Sequence, residues 1–529
     1  MAALDWIIAG IYFVGTLAFG VFLNKKTNTS DEYFSGGKEF AWWAIAGSVI
    51  ATQVSAVTFI GAPGWAYTAG LAPIVLTLNI PIVMWFIGGT LVPFFYNSGV
   101  VSIYEYVEGR FGTLSRTLLA ATFLFKLLTI MGVVILAPSI VLSHITGLDI
   151  TITILIMTFA IFVTTLGGLT AVIWIDVLQI AILWVGIITS FYIAITKLPV
   201  SLPDAYDIVQ KAGKLKAIDF TMDFTTPNTL WAGIIGGLIL HISYFGGNQA
   251  QVQRMLAAKS MRNLKLSLFS TGFVIVAQML LFLALGLLLY VFYEGKTFTK
   301  PNDVYVTFLD NVPSGFLGLI VAAIFAAGIG SMVASLNSMA TVYVKDIYEK
   351  AINKSASEET KMRVAKISTF VFGGILALVA ILMSQNNNLS LLEAISKYGS
   401  YTVGSTIGVF ILGIFTARTN EMGVNIGLIL GIVVVLLVAT FTDVFWMWYS
   451  LFGFAVTTSV GYAASFMFGE KPKGIERFTV KGQKQYFIDN KLSEKEEGYY
   501  MIPGKFENKS YLLIAYFLVV CGFLYYIGK

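Results

Sequence analysis

Polar side chains able to bind something small gather in two short stretches of this chain, and both stretches interrupt apolar helices. The first is TQVSAVTFIGAP, residues 52 to 63. It holds Gln53, Ser55 and Thr58 and runs into Gly61 and Pro63, which weaken a helix. The second is HISYFGGNQAQVQR, residues 241 to 254, where Gly246 and Gly247 separate His241 and Tyr244 from Asn248 and Gln249. Amides, hydroxyls and an imidazole suit reversible binding. Catalysis by a membrane-embedded enzyme would ask for a nucleophile with its base, or for metal ligands. The sequence has no H-E-x-x-H, G-x-S-x-G or Walker pattern, which argues against an enzyme. Its single cysteine, Cys521, and its two distant histidines, His144 and His241, argue against a disulfide framework or a Cys/His metal site.

The elements that must position these groups are membrane helices. Of 529 residues, 57% are hydrophobic and 12% charged, and the apolar residues fall in runs long enough to cross a bilayer. Fourteen spans are expected, at 4–23, 41–68, 71–95, 114–144, 150–167, 170–196, 229–252, 264–293, 314–346, 361–384, 390–416, 422–441, 444–467 and 510–528. The first reads as a retained helix, because it has neither a basic leader nor a small-residue cleavage site. Lys25, Lys26 and Lys38 follow span one, Arg110 and Arg116 follow span three, Arg254, Lys259 and Arg262 follow span seven, and Lys345, Lys350 and Lys354 follow span nine. All of these gaps lie on one side, the cytoplasm, which places both termini outside. The net charge of +5 thus reflects membrane orientation and carries no nucleic-acid signal. Residues 468–509, the longest polar stretch, fall inside as a regulatory or structural loop without a catalytic motif.

The two interrupted spans are the second and the seventh, five apart in order. Corresponding broken helices mark a transporter built from an inverted repeat, with its solute site at the midplane. Irregular backbone survives at that depth where it lines a cavity or is buried in protein. The plainer alternative is that small residues there let helices pack closely.

Longer blocks carry a family resemblance. DEYFSGGKEFAWWAIAGSVIATQVSAVTFIG (31–61), GGLTAVIWIDVLQ (167–179), GGNQAQVQRMLAAKS (246–260) and AAIFAAGIGSMVASLNSMATVYVKDIY (322–348) resemble, in the same order, the signature blocks of the sodium:solute symporter family. The resemblance covers residues 31 to about 416. It implies an all-α integral membrane protein of LeuT-type fold forming a single transporter domain, residues 1–529. Two inverted five-helix repeats would span 41–196 and 229–416. The first helix (4–23) and the C-terminal helices (422–528) would be peripheral. It implies secondary active transport by alternating access, with sodium as coupling ion, no further cofactor, a small polar organic solute or anion as cargo, and a place in the plasma (inner) membrane.

The resemblance also assigns residues. Sodium, a hard cation that seeks oxygen, would sit where broken span two meets span nine. Its ligands would be the carbonyls of Ala51, Val54 and Ala327 and the hydroxyl of Ser331. Relatives commonly carry two adjacent hydroxyl residues here, whereas this chain has Gly330 before Ser331. Val333 and Ala334 replace the serines of two-sodium members, so one ion is expected. The alternative for Ser331 is a hydroxyl bonded back to its own helix. Gln53, Ser55, Thr58, Thr77, His241, Tyr244 and Ser396 would face the solute, with Tyr244 closing the site from inside beside Phe245, and Asn248 nearby. His241 is equally read as a packing histidine. Thr58, Thr77 and His241 stand at the places of sugar-binding amides and a carboxylate. Ile130 stands at that of a sialic-acid-pairing arginine, so neither specificity carries over. The string SAVTFIGAP leans toward the iodide, monocarboxylate and sialic-acid branches.

Two charges lie within spans. Asp176, at the cytoplasmic start of span six, is expected on the ion exit path or as a helix-end anchor, and at its depth it needs a partner or water. Lys126 lies about twelve residues into span four, roughly 18 Å along the helix, too deep to snorkel easily. It either pairs with an acidic group or attracts an anionic solute. The competing functions are a proton-coupled or uncoupled transporter of the same fold and, less favoured, a membrane sensor.

Overall fold

The computed structural model describes the chain apart from residues 25–39, 54, 101, 164–168 and 387–388. Within helices it also leaves aside the side chains at 13, 16–24, 162–163, 169–172, 175, 326, 330, 334, 351 and 386. Each expected span is helical. Ten helices are long and apolar enough to cross a bilayer, and an eleventh crossing is the bent pair Trp42–Gln53 and Ala56–Ala69. The expected first, fifth and seventh spans contain the shorter apolar helices Ala3–Tyr12, Ile150–Ile161 and Ala232–Gly246 among the described residues.

Span two breaks earlier than its glycine and proline suggest. The two halves meet at 58°, and the second half starts at Ala56 with Ser55 as its cap. Ser55 is extended, and its hydroxyl accepts the Val57 amide at 3.3 Å, satisfying one of the donors that a helix start leaves free. Gly61 and Pro63 lie inside the second half. Gly61 serves packing instead, since a Cβ there would sit 2.6 Å from the Leu392 amide of span eleven. The second interruption falls where the glycines put it. Span seven ends at Gly246, and Asn248 caps a separate helix, Gln249–Leu256, by accepting the Ala250 amide at 3.0 Å.

Small residues bring the outer helices together. Gly423, Gly427 and Gly431, four apart on span twelve (Glu421–Phe441), face span thirteen (Tyr449–Met467). A Cβ on Gly431 would lie 2.1 Å from the Thr457 hydroxyl, and that hydroxyl donates to the Gly427 carbonyl at 3.0 Å. Such spacing lets backbones approach where lipid offers no hydrophobic drive. Span one attaches differently. The buried Asp5 carboxylate accepts the Gly315 and Gly318 amides at 2.6 and 3.0 Å and so caps span nine, Phe316–Val342.

Residues 468–509 fold back onto the helix ends. They form the helix Val480–Asp489 and a two-stranded hairpin, Lys495–Glu496 with Tyr499–Tyr500. Phe506 stacks on Trp85 of span three at 4.4 Å, Gln483 donates to the Phe94 carbonyl at 3.1 Å, and Lys265 of span eight binds Glu507 at 2.5 Å. The stretch is docked structure, fixed by contacts far away in sequence.

Candidate functional site

The break in span two frees carbonyls, and their partners differ. Tyr244, from the second interrupted span, donates its hydroxyl to the Thr52 carbonyl at 3.2 Å, so the two breaks meet. The Thr58 hydroxyl donates to the Gln53 carbonyl at 3.3 Å. The Ala51 carbonyl accepts no hydrogen bond among the described residues. Span nine packs against the outer half of span two and carries Ala327 and Ser331. The half-buried Ser331 hydroxyl also has no hydrogen-bond partner among the described residues. The alternative of a bond back into its own helix is not realised, whereas Ser335 one turn on does donate back, to the Ser331 carbonyl at 2.7 Å. Gly330 lies on the same helix. Val54, the remaining expected carbonyl, lies outside the described residues.

The other expected solute residues divide into spent and unspent groups. Gln53 is half-buried, and its carboxamide makes no hydrogen bond among the described residues. Thr77 donates to the Ile74 carbonyl at 3.3 Å and Ser396 to the Leu392 carbonyl at 2.8 Å. Both therefore sit on their own helices as satisfied hydroxyls. His241 is fully buried and pairs through Nδ1 with Oδ1 of Asn79 at 2.9 Å. Asn79 in turn donates to the Leu76 and Gly233 carbonyls, both at 2.9 Å. The imidazole and Asn79 thus link spans three and seven. The Phe245 ring is buried edge-on to Tyr244 at 4.9 Å. Asn248 is engaged as a cap.

Asp176 has a partner that sequence reasoning does not name. Its Oδ2 accepts the Ser48 hydroxyl at 2.6 Å and the Nε and Nη2 of Arg254 at 3.3 Å each. Arg254 Nε also lies 3.0 Å from the Ser48 hydroxyl, and its Nη1 donates to the Ala250 carbonyl at 2.8 Å. The Asp176 and Arg254 side chains are only 14% and 9% exposed. Next to this knot the chain is stitched by backbone bonds, Phe40 amide to Ala257 carbonyl at 3.3 Å and Lys259 amide to Phe40 carbonyl at 3.2 Å. Tyr244, the Ser48–Asp176–Arg254 cluster and the Phe40 bridge thus all tie span two or the residue just ahead of it to spans six and seven, on the side of the break expected to face the cytoplasm. Lys126 is half-buried and has no ion-pair or hydrogen-bond partner for its amine among the described residues.

The sodium:solute symporter family model matches residues 33–431, about three quarters of the chain. The chain belongs to the sodium:solute symporter family. It is similar to the sodium/sialic acid symporter SiaT of Proteus mirabilis, 30% identical over 453 residues that cover 84% of this chain and 90% of that one. It is also 31% identical to the sodium-coupled monocarboxylate transporter 1 of Homo sapiens, over 81% of this chain and 72% of that one. Among solved structures, a Na+-coupled sialic acid symporter in a substrate-bound outward-open state matches with a TM-score of 0.78 at 27% identity, over 89% of this chain and 99% of that one. The all-α, LeuT-type architecture follows, and a family of symporters is one of transporters and not of enzymes.

Proposed function

We propose that this protein is a sodium-coupled symporter of a small polar solute, working by alternating access. The observation that supports the reading is which polar groups have no hydrogen-bond partner among the described residues: the Ala51 carbonyl and the Gln53 carboxamide at the break, and the Ser331 hydroxyl on span nine, which packs against the outer half of span two. Their neighbours Thr52, Thr58, Thr77 and Ser396 are all engaged. An unpaired oxygen at membrane depth is costly, and a bound cation repays it. Ala51, Val54, Ala327 and Ser331 hold the sodium in this reading, and Gln53 meets the solute, with Ser55 beside it. Asp176 gates the ion's exit. Spans two to six and seven to eleven form the two repeats, spans one and twelve to fourteen are peripheral, and the chain crosses the plasma membrane fourteen times with both ends outside.

Lys126 favours an anionic solute. A half-buried amine with no acidic partner among the described residues is a standing attraction for a carboxylate. The relatives named for sialic acid and for monocarboxylates carry anions. The test is uptake into proteoliposomes of labelled sialic acid, lactate, iodide, proline, inositol and glucose, each with and without a sodium gradient. Accumulation that ignores sodium would transfer the reading to proton-driven or uncoupled transport.

Three further results are expected. Gln53→Ala should weaken solute binding by about 0.5–1.5 kcal/mol, one hydrogen bond, and leave the sodium requirement in place. Equal loss of both ligands would instead indicate a collapsed break. Tyr244→Ala removes the ring that bridges the two breaks, so solute exchange should accelerate in a protein of unchanged fold, and an unaltered exchange rate would take Tyr244 out of the gate. Cysteines placed in 468–509 should react with an impermeant thiol reagent only from the cytoplasm, and one at Lys529 only from outside. Reaction from the same side would change the number of crossings.

A further inference from the structure

Gln278 lies near the middle of span eight, Met261–Phe292, and is 1% exposed. Neither its Oε1 nor its Nε2 has a hydrogen-bond partner among the described residues. A primary amide brings two donors and an acceptor, and leaving them unpaired in a dry interior is expensive. Such a group persists where it meets a partner during function.

The helix register says which partner. Spans two and eight run alongside each other with matched steps. The Phe59 and Phe282 rings meet edge-on at 5.4 Å. One turn further out, Gly286 lies against the Pro63 carbonyl and Ala66, where a Cβ would sit 2.3 Å from that carbonyl oxygen. Four residues on span two thus correspond to four on span eight, so the helices are parallel and in step. One turn in the other direction from Phe59 is Ser55, and one turn from Phe282, on the same face, is Gln278. The unpaired amide therefore stands level with the break, on the span-eight side of it. Gln53, the unspent amide of span two, lies two residues below that level.

We propose that Gln278 completes the solute site from span eight, so that a solute oxygen lies across the break between the carboxamides of Gln53 and Gln278. This rests on the transport reading above and adds the residue that defines the far wall of its site. The chemistry suits a solute bearing a hydroxyl or carboxylate, which the amide donors bind, and it adds a specificity contact outside the two broken helices.

The test uses the full chain with Cys521→Ser as background, since Cys521 is its only cysteine. Gln278→Cys in proteoliposomes should react with a small impermeant methanethiosulfonate reagent in sodium buffer at least about tenfold faster than Ala277→Cys. Ala277 is the exposed, lipid-side neighbour on the same helix. No reaction at 278 from either side, with or without sodium, overturns the proposal. Gln278→Leu gives the second reading. Its melting temperature should not fall, because the amide makes no bond to lose, whereas the KM for whichever of labelled sialic acid or lactate is carried should rise at least fivefold at unchanged sodium half-saturation. A lower melting temperature with unchanged KM would make Gln278 a structural prop and overturn the proposal. If the parent chain shows no sodium-driven uptake, the transport reading falls, and thiol labelling at 278 still decides whether this amide lines an aqueous path.

Discussion

Ser331→Ala is expected to abolish most sodium-driven uptake while leaving the protein folded. The hydroxyl has no partner within the described protein, so its removal breaks no internal bond and leaves nothing buried unpaired. In the proposed site it is the one side-chain ligand, the remainder being backbone carbonyls that no substitution removes. Losing one polar contact to a charged group costs about 1.5–3 kcal/mol, so the sodium concentration for half-maximal uptake should rise roughly 10- to 150-fold. The reverse change is as informative. Gly330→Ser adds back the neighbouring hydroxyl, and about 1 kcal/mol from it would tighten sodium roughly fivefold. The ion:solute ratio should be one, because Val333 and Ala334 offer no second set of hydroxyls. The measurement is uptake against sodium concentration in the three proteins at matched yield and melting temperature. Sodium dependence that survives Ser331→Ala intact would move the ion elsewhere and leave span nine as scaffold.

Local features are the ones legible in the sequence. Apolar runs mark helices because hydrocarbon demands internally satisfied backbone, and all the expected spans are helical. Gly246, Gly247 and Asn248 mark a stop and a cap within three residues, and the second interruption lies there. The first interruption lies ahead of the residues that suggest it, because Gly61 and Pro63 look like breakers in isolation. Pro63 is the eighth residue of the helix Ala56–Ala69 and is carried inside it, and it is Ser55 that marks the break by capping that helix from Ala56 onward. Long-range pairings leave no signal. Asp5 caps a helix 310 residues away, Lys265 meets Glu507 across 242, and Asp176 meets Arg254 across 78. In the sequence Arg254 reads as one more positive charge in a loop expected to be cytoplasmic, whereas its guanidinium is buried against Asp176. Gln278 is invisible there for the same reason: an amide in an apolar run becomes notable only once its neighbours are seen to leave it unpaired.

Arg254→Ala should bias the transporter toward opening on the cytoplasmic side, and the energetics make this the larger conformational effect. The pair it breaks is buried, with Asp176 14% exposed and held also by Ser48. Removing one partner of a buried ion pair costs about 3–5 kcal/mol, because the other charge stays behind without compensation. Here the chain can escape the penalty. In the proposed alternating-access cycle, swinging the half of span two that carries Ser48 away from spans six and seven would let water reach Asp176, so the penalty would fall on the state in which the pair is buried and much less on the open one. A differential of about 3 kcal/mol shifts the equilibrium roughly a hundredfold toward the inward-open form. A cysteine at Thr52, next to the break, should then react with an impermeant reagent from the cytoplasmic side far faster than in the Arg254 parent. Arg254→Lys keeps the charge and loses the planar fork that reaches both Ser48 and Asp176, so it should fall between the two. Asp176→Asn combined with Arg254→Ala removes both charges and should restore part of the closed population. An unchanged labelling rate alongside a lowered melting temperature would show that the cluster holds the fold together and plays no part in the gate. In the proposed cycle, closing the side expected to face the cytoplasm would then fall to Tyr244 and the Phe40 bridge, which tie span two and the residue ahead of it to span seven without the ion pair.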